Sequence, residues 1–407
     1  MTFSEKYFDQ VPDRHGTWSC KWDELDLKQD PEGKRQLIHL GVADMDFPVA
    51  PCITQHFQKI IDHGVYGYSM LSTEFASAIV EWNLKQYGIE IDPEWIVFVP
   101  RITTSAHMCV RLFTDQTASC LGHIPLYSPL QEAVTLNDRE LLGSPLIQDK
   151  TQSWRIDFAD MEQRIKDNTQ FLLLCDPHNP TGRCFTKQEL SQLAEFALKH
   201  KLTVFVDEIH ADLLRQGFKH NSLLNYSEEL NENIIIASSL TKTFNLPGVI
   251  LSWLIVPSQT KREQIQLEIK KMGMNNPTSF ASAVVPVAYR ESEARAWLEA
   301  VCNYIDQNEN FVRQYLNEHL PELNISPREG TYLLWLDYRA YAVKHAITKT
   351  ALERWLLDEA GVEVYLGESF GPSGAGFIRV NLATSRKLLQ KALEAVIEAL
   401  PKLDNYF

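Results

Sequence analysis

Three short apolar runs mark the middle of the chain: Phe171 to Cys175 (FLLLC), Leu202 to Asp207 (LTVFVD) and Asn233 to Ser238 (NIIIAS). None alternates apolar with polar residues, as a strand with one wet face would. Uninterrupted apolar runs bounded by polar clusters predict strands buried on both faces. Between the first two runs lies Thr186 to His200 (TKQELSQLAEFALKH). There Leu190, Leu193, Ala194, Ala197 and Leu198 recur at helical spacing, and Thr186 with Glu189 forms a capping box. Strand, helix and strand in this order predict βαβ units and a largely parallel α/β sheet.

The pattern changes toward the C-terminus. Ser292 to Leu320 reads as one long helix, TYLLWLDY (from Thr331) as a strand and KTALERWLLDEAG as a helix ending at Gly361. GFIRVNLA (from Gly376) reads as a further strand and RKLLQKALEAVIEAL (from Arg386) as a final helix. The expected organisation is a large α/β domain over 48–285. A smaller α+β domain would form from 286–407, with 1–47 as an N-terminal arm.

Polar residues gather just past the carboxyl ends of the three apolar strands. Asp176-Pro177-His178-Asn179-Pro180-Thr181-Gly182 follows the first. Asp207, Glu208 and His210 end the second, and Ser239, Thr241 and Lys242 follow the third. Open parallel sheets bind ligands in the crevice outside these ends. A lysine amine condenses with a carbonyl to give a Schiff base. Pyridoxal phosphate needs such a lysine and an acid for its ring nitrogen. On this reading Lys242 is the Schiff-base lysine and Asp207 keeps the pyridine protonated. Asn179 and His210 bond the phenolic oxygen, and Ser239 and Thr241 offer hydroxyls to the phosphate.

NPTG, VDEIHADL and SSLTKTFNLPG resemble the signatures of fold-type I pyridoxal-phosphate enzymes, the aspartate-aminotransferase superfamily. GTWSCKWD, VADMDF, HGVYGYS, DPHNPTGR and DEIHAD are similar to the MalY/PatB-type cystathionine β-lyases, which are C–S β-lyases. The resemblance implies that fold, pyridoxal 5'-phosphate as cofactor, an amino-acid substrate and a homodimer with a shared active site. It implies that Tyr127 stacks on the cofactor and that Arg379 clamps the substrate carboxylate. Backbone N–H groups near Ile102 and Thr103 would cradle the phosphate. Tyr66 and Tyr68 would reach the neighbouring subunit's site, binding phosphate or protonating a leaving group. Two positions depart from the pattern: Ile250 stands where the superfamily has a phosphate arginine, and Arg101 stands where a small residue is expected. FTDQTASCLGHIPLY also lacks the usual Gly-Asp turn.

The implied reaction is α,β-elimination of cystathionine or a cysteine S-conjugate to a thiol, pyruvate and ammonia. An aminotransferase would use the same catalytic set, and a cofactor-bearing regulatory protein is a third reading. The 407 residues are 44% hydrophobic and 23% charged, an ordinary globular composition. A formal net charge of −14 argues against nucleic-acid phosphates and anionic membrane surfaces as partners. Seven scattered cysteines without a CxxC pair argue against a disulfide framework or zinc site, and no HExxH spacing occurs. The N-terminal stretch lacks the apolar core of a signal peptide, so the cytoplasm is the expected compartment. Asp44 and Asp46 read as turn and cap residues that position the arm, and GPSGAG (from Gly371) as a loop before Arg379.

Overall fold

Each of the three apolar runs forms a central strand in the computed structural model, which describes residues 3–29, 37–224 and 226–406. The main sheet has seven strands: β1 (Ile96–Val99), β2 (Ser119–Ile124), β3 (Glu140–Pro145), β4 (Thr169–Cys175), β5 (Thr203–Asp207), β6 (Ile234–Ser238) and β7 (Ser252–Ile255). Their spatial order is β1-β7-β6-β5-β4-β2-β3. Every pairing is parallel except the two that β7 makes, with β1 and with β6.

The continuous apolar character has a direct cause. Successive side chains of a strand point to opposite faces, and both faces here are covered. In β4, Leu172 and Leu174 enter one core while Phe171, Leu173 and Cys175 enter the other. In β5, Val204 and Val206 oppose Phe205 in the same way. Each such buried side chain contributes about 1.5–3 kcal/mol relative to exposure.

The second sheet is antiparallel: β8 (Asn324–Ile325), β9 (Leu333–Asp337), β10 (Tyr365–Leu366) and β11 (Phe377–Asn381), in the order β8-β9-β11-β10. Register sets Arg379 of β11 opposite Trp335 on one side and Tyr365 on the other.

The helices that matter for the site are α1 (Pro51–His63), α2 (Phe75–Tyr87), α3 (Ile102–Phe113), α4 (Lys187–Lys199), α5 (Leu240–Thr243), α6 (Ser292–His319) and α7 (Arg386–Ala399). The capping box at α4 is present: Thr186 Oγ1 accepts the Glu189 N–H at 3.2 Å, and the Glu189 carboxylate accepts the Thr186 N–H at 2.8 Å. α6 runs as one 28-residue helix, matching its sequence pattern. The helix read over Lys349 to Gly361 is α-helical only over Lys349–Trp355. It widens into a π turn over Leu356–Ala360, and left-handed Gly361 (φ 65°) stops it. Among the described residues no helix is long and apolar enough to cross a membrane.

The segment from Gly41 to Phe47 lies as a strap between the sheets. Leu40 O accepts the Asn381 N–H at 2.7 Å, and the Asn381 side-chain amide donates to Val42 O and Asp44 O. On the other side, the Asn245 amide donates to Met45 O and Phe47 O.

Candidate active site

β4, β5 and β6 all end at one cavity of about 190 Å³. Asn179, Asp207, His210, Ser239, Thr241 and Lys242 line it, with Tyr127, Ile102 and Thr103. The crevice therefore forms where parallel-strand geometry places it.

Asp207 is the last residue of β5 and is buried. Its carboxylate accepts the Ile209 N–H at 3.1 Å. Burial pushes it up to about 7, although the Ile209 bond and the Lys242 charge pull the other way. Lys242 projects from α5, a single turn that begins straight after β6. Ser239 caps that turn by accepting the Thr241 N–H at 3.0 Å. The Lys242 amine donates to Ala43 O of the strap. Burial brings it down to about 8; Arg379 adds to the lowering, while Asp44 and Asp207 oppose it. An amine tuned toward neutrality is a far better nucleophile and base than an ordinary lysine.

His210 is held neutral by burial and by the nearby Lys242 and Arg379 charges, and its Nδ1 is buried without a hydrogen-bond partner. Its ring meets Tyr332 edge-to-face at 5.7 Å. Burial raises the Tyr127 phenol, so that side chain stays protonated.

Arg379 is 1% exposed. Its guanidinium donates to Asn179 Oδ1 at 2.9 Å and to Gly41 O at 2.7 Å, and lies over the Phe370 and Tyr365 rings at 4.7 and 5.0 Å. Its Nε has no partner, and among the described residues no carboxylate pairs with it. A buried cation without an anion is costly; Arg379 stands behind Asn179 and is not itself among the residues that line the cavity.

The Ser239 hydroxyl donates to Leu251 O at 2.5 Å and contacts Thr241 Oγ1 at 2.8 Å, so the pair ties α5 to the sheet. Tyr66 and Tyr68 are not brought to the cavity of this chain. They lie between α1 and α2, 61% and 103% exposed.

One sequence reading is corrected. Asp44 and Asp46 are not cap residues; they are the anions of a buried ion cluster. Lys21, fully buried, donates to Asp46 at 2.8 Å, and Arg14 bridges Asp46 at 2.8 Å and Asp44 at 2.6 Å. The cluster does anchor the arm, by charge instead of turn geometry. Sequence reasoning also missed the carbonyls of Gly41 and Ala43, which accept from Arg379, Lys242 and the Tyr332 hydroxyl. Backbone acceptors leave no side-chain signature.

The fold and the cavity define an aspartate-aminotransferase-like protein, and the chain belongs to the aminotransferase class I and II family, whose pattern matches residues 35–396. Among its relatives, it is 32% identical to "Cystathionine beta-lyase PatB" of Bacillus subtilis, over 97% of this chain and 99% of that one. It is 30% identical to "Protein MalY" of Escherichia coli, over 97% and 98%. Cystalysin from Treponema denticola, whose crystal structure contains pyridoxal 5'-phosphate, superposes with a TM-score of 0.91 at 29% identity, over 97% of this chain and 99% of that one.

Proposed function

We propose that the protein catalyses pyridoxal-phosphate-dependent α,β-elimination of a sulfur-containing amino acid, releasing a thiol, pyruvate and ammonia. The observation that carries this reading is the Lys242 amine and the Asp207 carboxyl facing one cavity, with the unpaired Arg379 guanidinium behind Asn179. Near-full-length similarity to "Cystathionine beta-lyase PatB" supports elimination over transamination.

The residues fit the cofactor. The cavity offers an amine for its aldehyde, an acid for its ring nitrogen, an unsatisfied His210 Nδ1 and the N-terminus of α3 for its phosphate. When bound, pyridoxal phosphate supplies an electron sink for charge developing at the substrate Cα.

The chain's own residues do the rest. Arg379 takes the substrate carboxylate in a planar fork, held in place by Asn179, Gly41 O and two rings. That orientation sets the Cα–H bond beside Lys242, and its amine removes the proton. Asp207 would hold the proton-bearing ring nitrogen of the bound cofactor. The β carbon–sulfur bond breaks with its electron pair on sulfur, the thiolate takes a proton, and water completes release of pyruvate and ammonia. For cystathionine the thiol is homocysteine. We further propose a cytoplasmic homodimer in which Tyr66 and Tyr68 serve the neighbouring subunit's site, and a division into the 48–285 domain and the 1–47 plus 286–407 unit.

The test is to mix holoenzyme with L-cystathionine and no 2-oxo acid. Sustained release of thiol and pyruvate over many turnovers is expected. A single turnover that stops until a 2-oxo acid is added would identify an aminotransferase.

A further inference from the structure

Arg101 is the N-cap residue of α3, and its side chain is a poor choice for that position. It makes no capping hydrogen bond, and arginine is not among the residues that satisfy a helix N-terminus. Its charge also opposes the positive end of the helix dipole. Arg101 is exposed, and among the described residues no hydrogen bond or ion pair engages its guanidinium, so water is its present partner. Yet it lines the same cavity as Lys242 and Asp207.

The charge inventory of that cavity is short. Its basic side chains are Arg101, His210 and Lys242. His210 is kept neutral by burial. The Lys242 amine is committed to the aldehyde end. Ile250, which lines the same cavity, is apolar, and the Ser239 and Thr241 hydroxyls are already bonded to each other. A phosphate monoester near neutral pH carries between one and two negative charges. Arg101 is the one permanent cation left to face it, next to the unpaired N–H groups of the first turn of α3.

We propose that Arg101 is the phosphate-binding cation of this cavity, supplying from the N-cap of α3 the charge that position 250 does not. An anion seated there reverses both liabilities: it pairs the guanidinium and it satisfies the dipole. This rests on pyridoxal phosphate being the ligand of the cavity, as proposed above.

The experiment uses cofactor-free full-length protein and its Arg101→Ala and Arg101→Lys variants, titrated with pyridoxal phosphate and, separately, with pyridoxal, which lacks the phosphate. Binding is read from the absorbance of the cofactor and not from turnover. Arg101→Ala is expected to raise the Kd for pyridoxal phosphate about tenfold or more, the worth of one charge-assisted contact. The pyridoxal Kd should change less than about twofold, and Arg101→Lys should fall between. Removing a cation from a helix N-terminus should leave the cofactor-free melting temperature unchanged or slightly raised, which separates a binding defect from misfolding. Inorganic phosphate should compete with the cofactor in the wild type and much less in Arg101→Ala. A pyridoxal phosphate Kd for Arg101→Ala within twofold of wild type overturns the assignment, as does equal loss of pyridoxal binding. Failure of the wild type itself to bind pyridoxal phosphate overturns the reading of the cavity and, with it, this inference.

Discussion

Replacing Asp46 by asparagine keeps the shape of the side chain and removes its charge. The carboxylate is 3% exposed and faces Lys21, which is 0% exposed, at 2.8 Å. At an effective dielectric near 20, that separation corresponds to a gross attraction of about 6 kcal/mol. Asp44 stays as a second anion at 3.7 Å from the Lys21 amine, worth about 4.5 kcal/mol gross on the same scale. The asparagine oxygen still accepts one hydrogen bond. Breaking one side of a buried pair costs about 3–5 kcal/mol, and the surviving Asp44 places this case near 3. Urea unfolding at pH 7 should show that loss, and limited proteolysis should cut the arm before the body. The pH dependence has a definite sign. Burial pushes the Asp46 carboxyl up, but Lys21, with bonds from Trp22 and Arg14, outweighs it and holds the group below its ordinary value. A depressed carboxylate contributes stability that is complete above its unfolded value of about 3.9 and disappears as pH falls through the folded value. The gap between wild type and Asp46→Asn should therefore close in acid. Because the strap carbonyls hold Lys242 and Arg379, turnover should fall as well. The double variant Lys21→Met with Asp46→Leu should recover most of the stability. An unfolding free energy for Asp46→Asn within 1 kcal/mol of wild type at pH 7 would refute this account of the arm.

Lys242→Ala should abolish both elimination and the borohydride-stable adduct that labels this residue in wild type; label found on another lysine would move the chemistry elsewhere. Arg379→Lys keeps the charge but loses the planar fork. It should lower kcat/KM about 10–100-fold, mainly through KM, the worth of one charged hydrogen bond; unchanged KM would remove Arg379 from carboxylate binding. In cofactor-free protein, the rate at which Lys242 condenses with an aldehyde should rise with pH and level off above about 8, because only the free amine reacts and burial brings its pKa to that value. A midpoint near the ordinary lysine value of about 10.4 would contradict it. Leu172→Ala, at a position with 0% exposure in β4, should cost about 2–5 kcal/mol in urea unfolding.

Local rules carried much of the fold. The runs that became β4, β5 and β6 are apolar throughout because each of their faces meets a separate core, and that condition is written residue by residue. The Thr186–Glu189 box and the α6 stripe are likewise local, so their helices were legible with their ends. The line of polar residues after the three strands was legible for the same reason: parallel-strand topology puts strand ends together whatever their separation along the chain. Other features needed the tertiary structure. Arg14, Lys21, Asp44 and Asp46 are separated by up to 32 positions and show no joint pattern; only the folded arm buries their charges together. The strap acceptors for Lys242 and Arg379, Ala43 O and Gly41 O, are main-chain carbonyls, which every residue has and no sequence distinguishes. Arg379 was legible through the family resemblance, but the absence of a carboxylate partner among the described residues was not. That absence is a property of the space around it, and space is created only when distant segments pack.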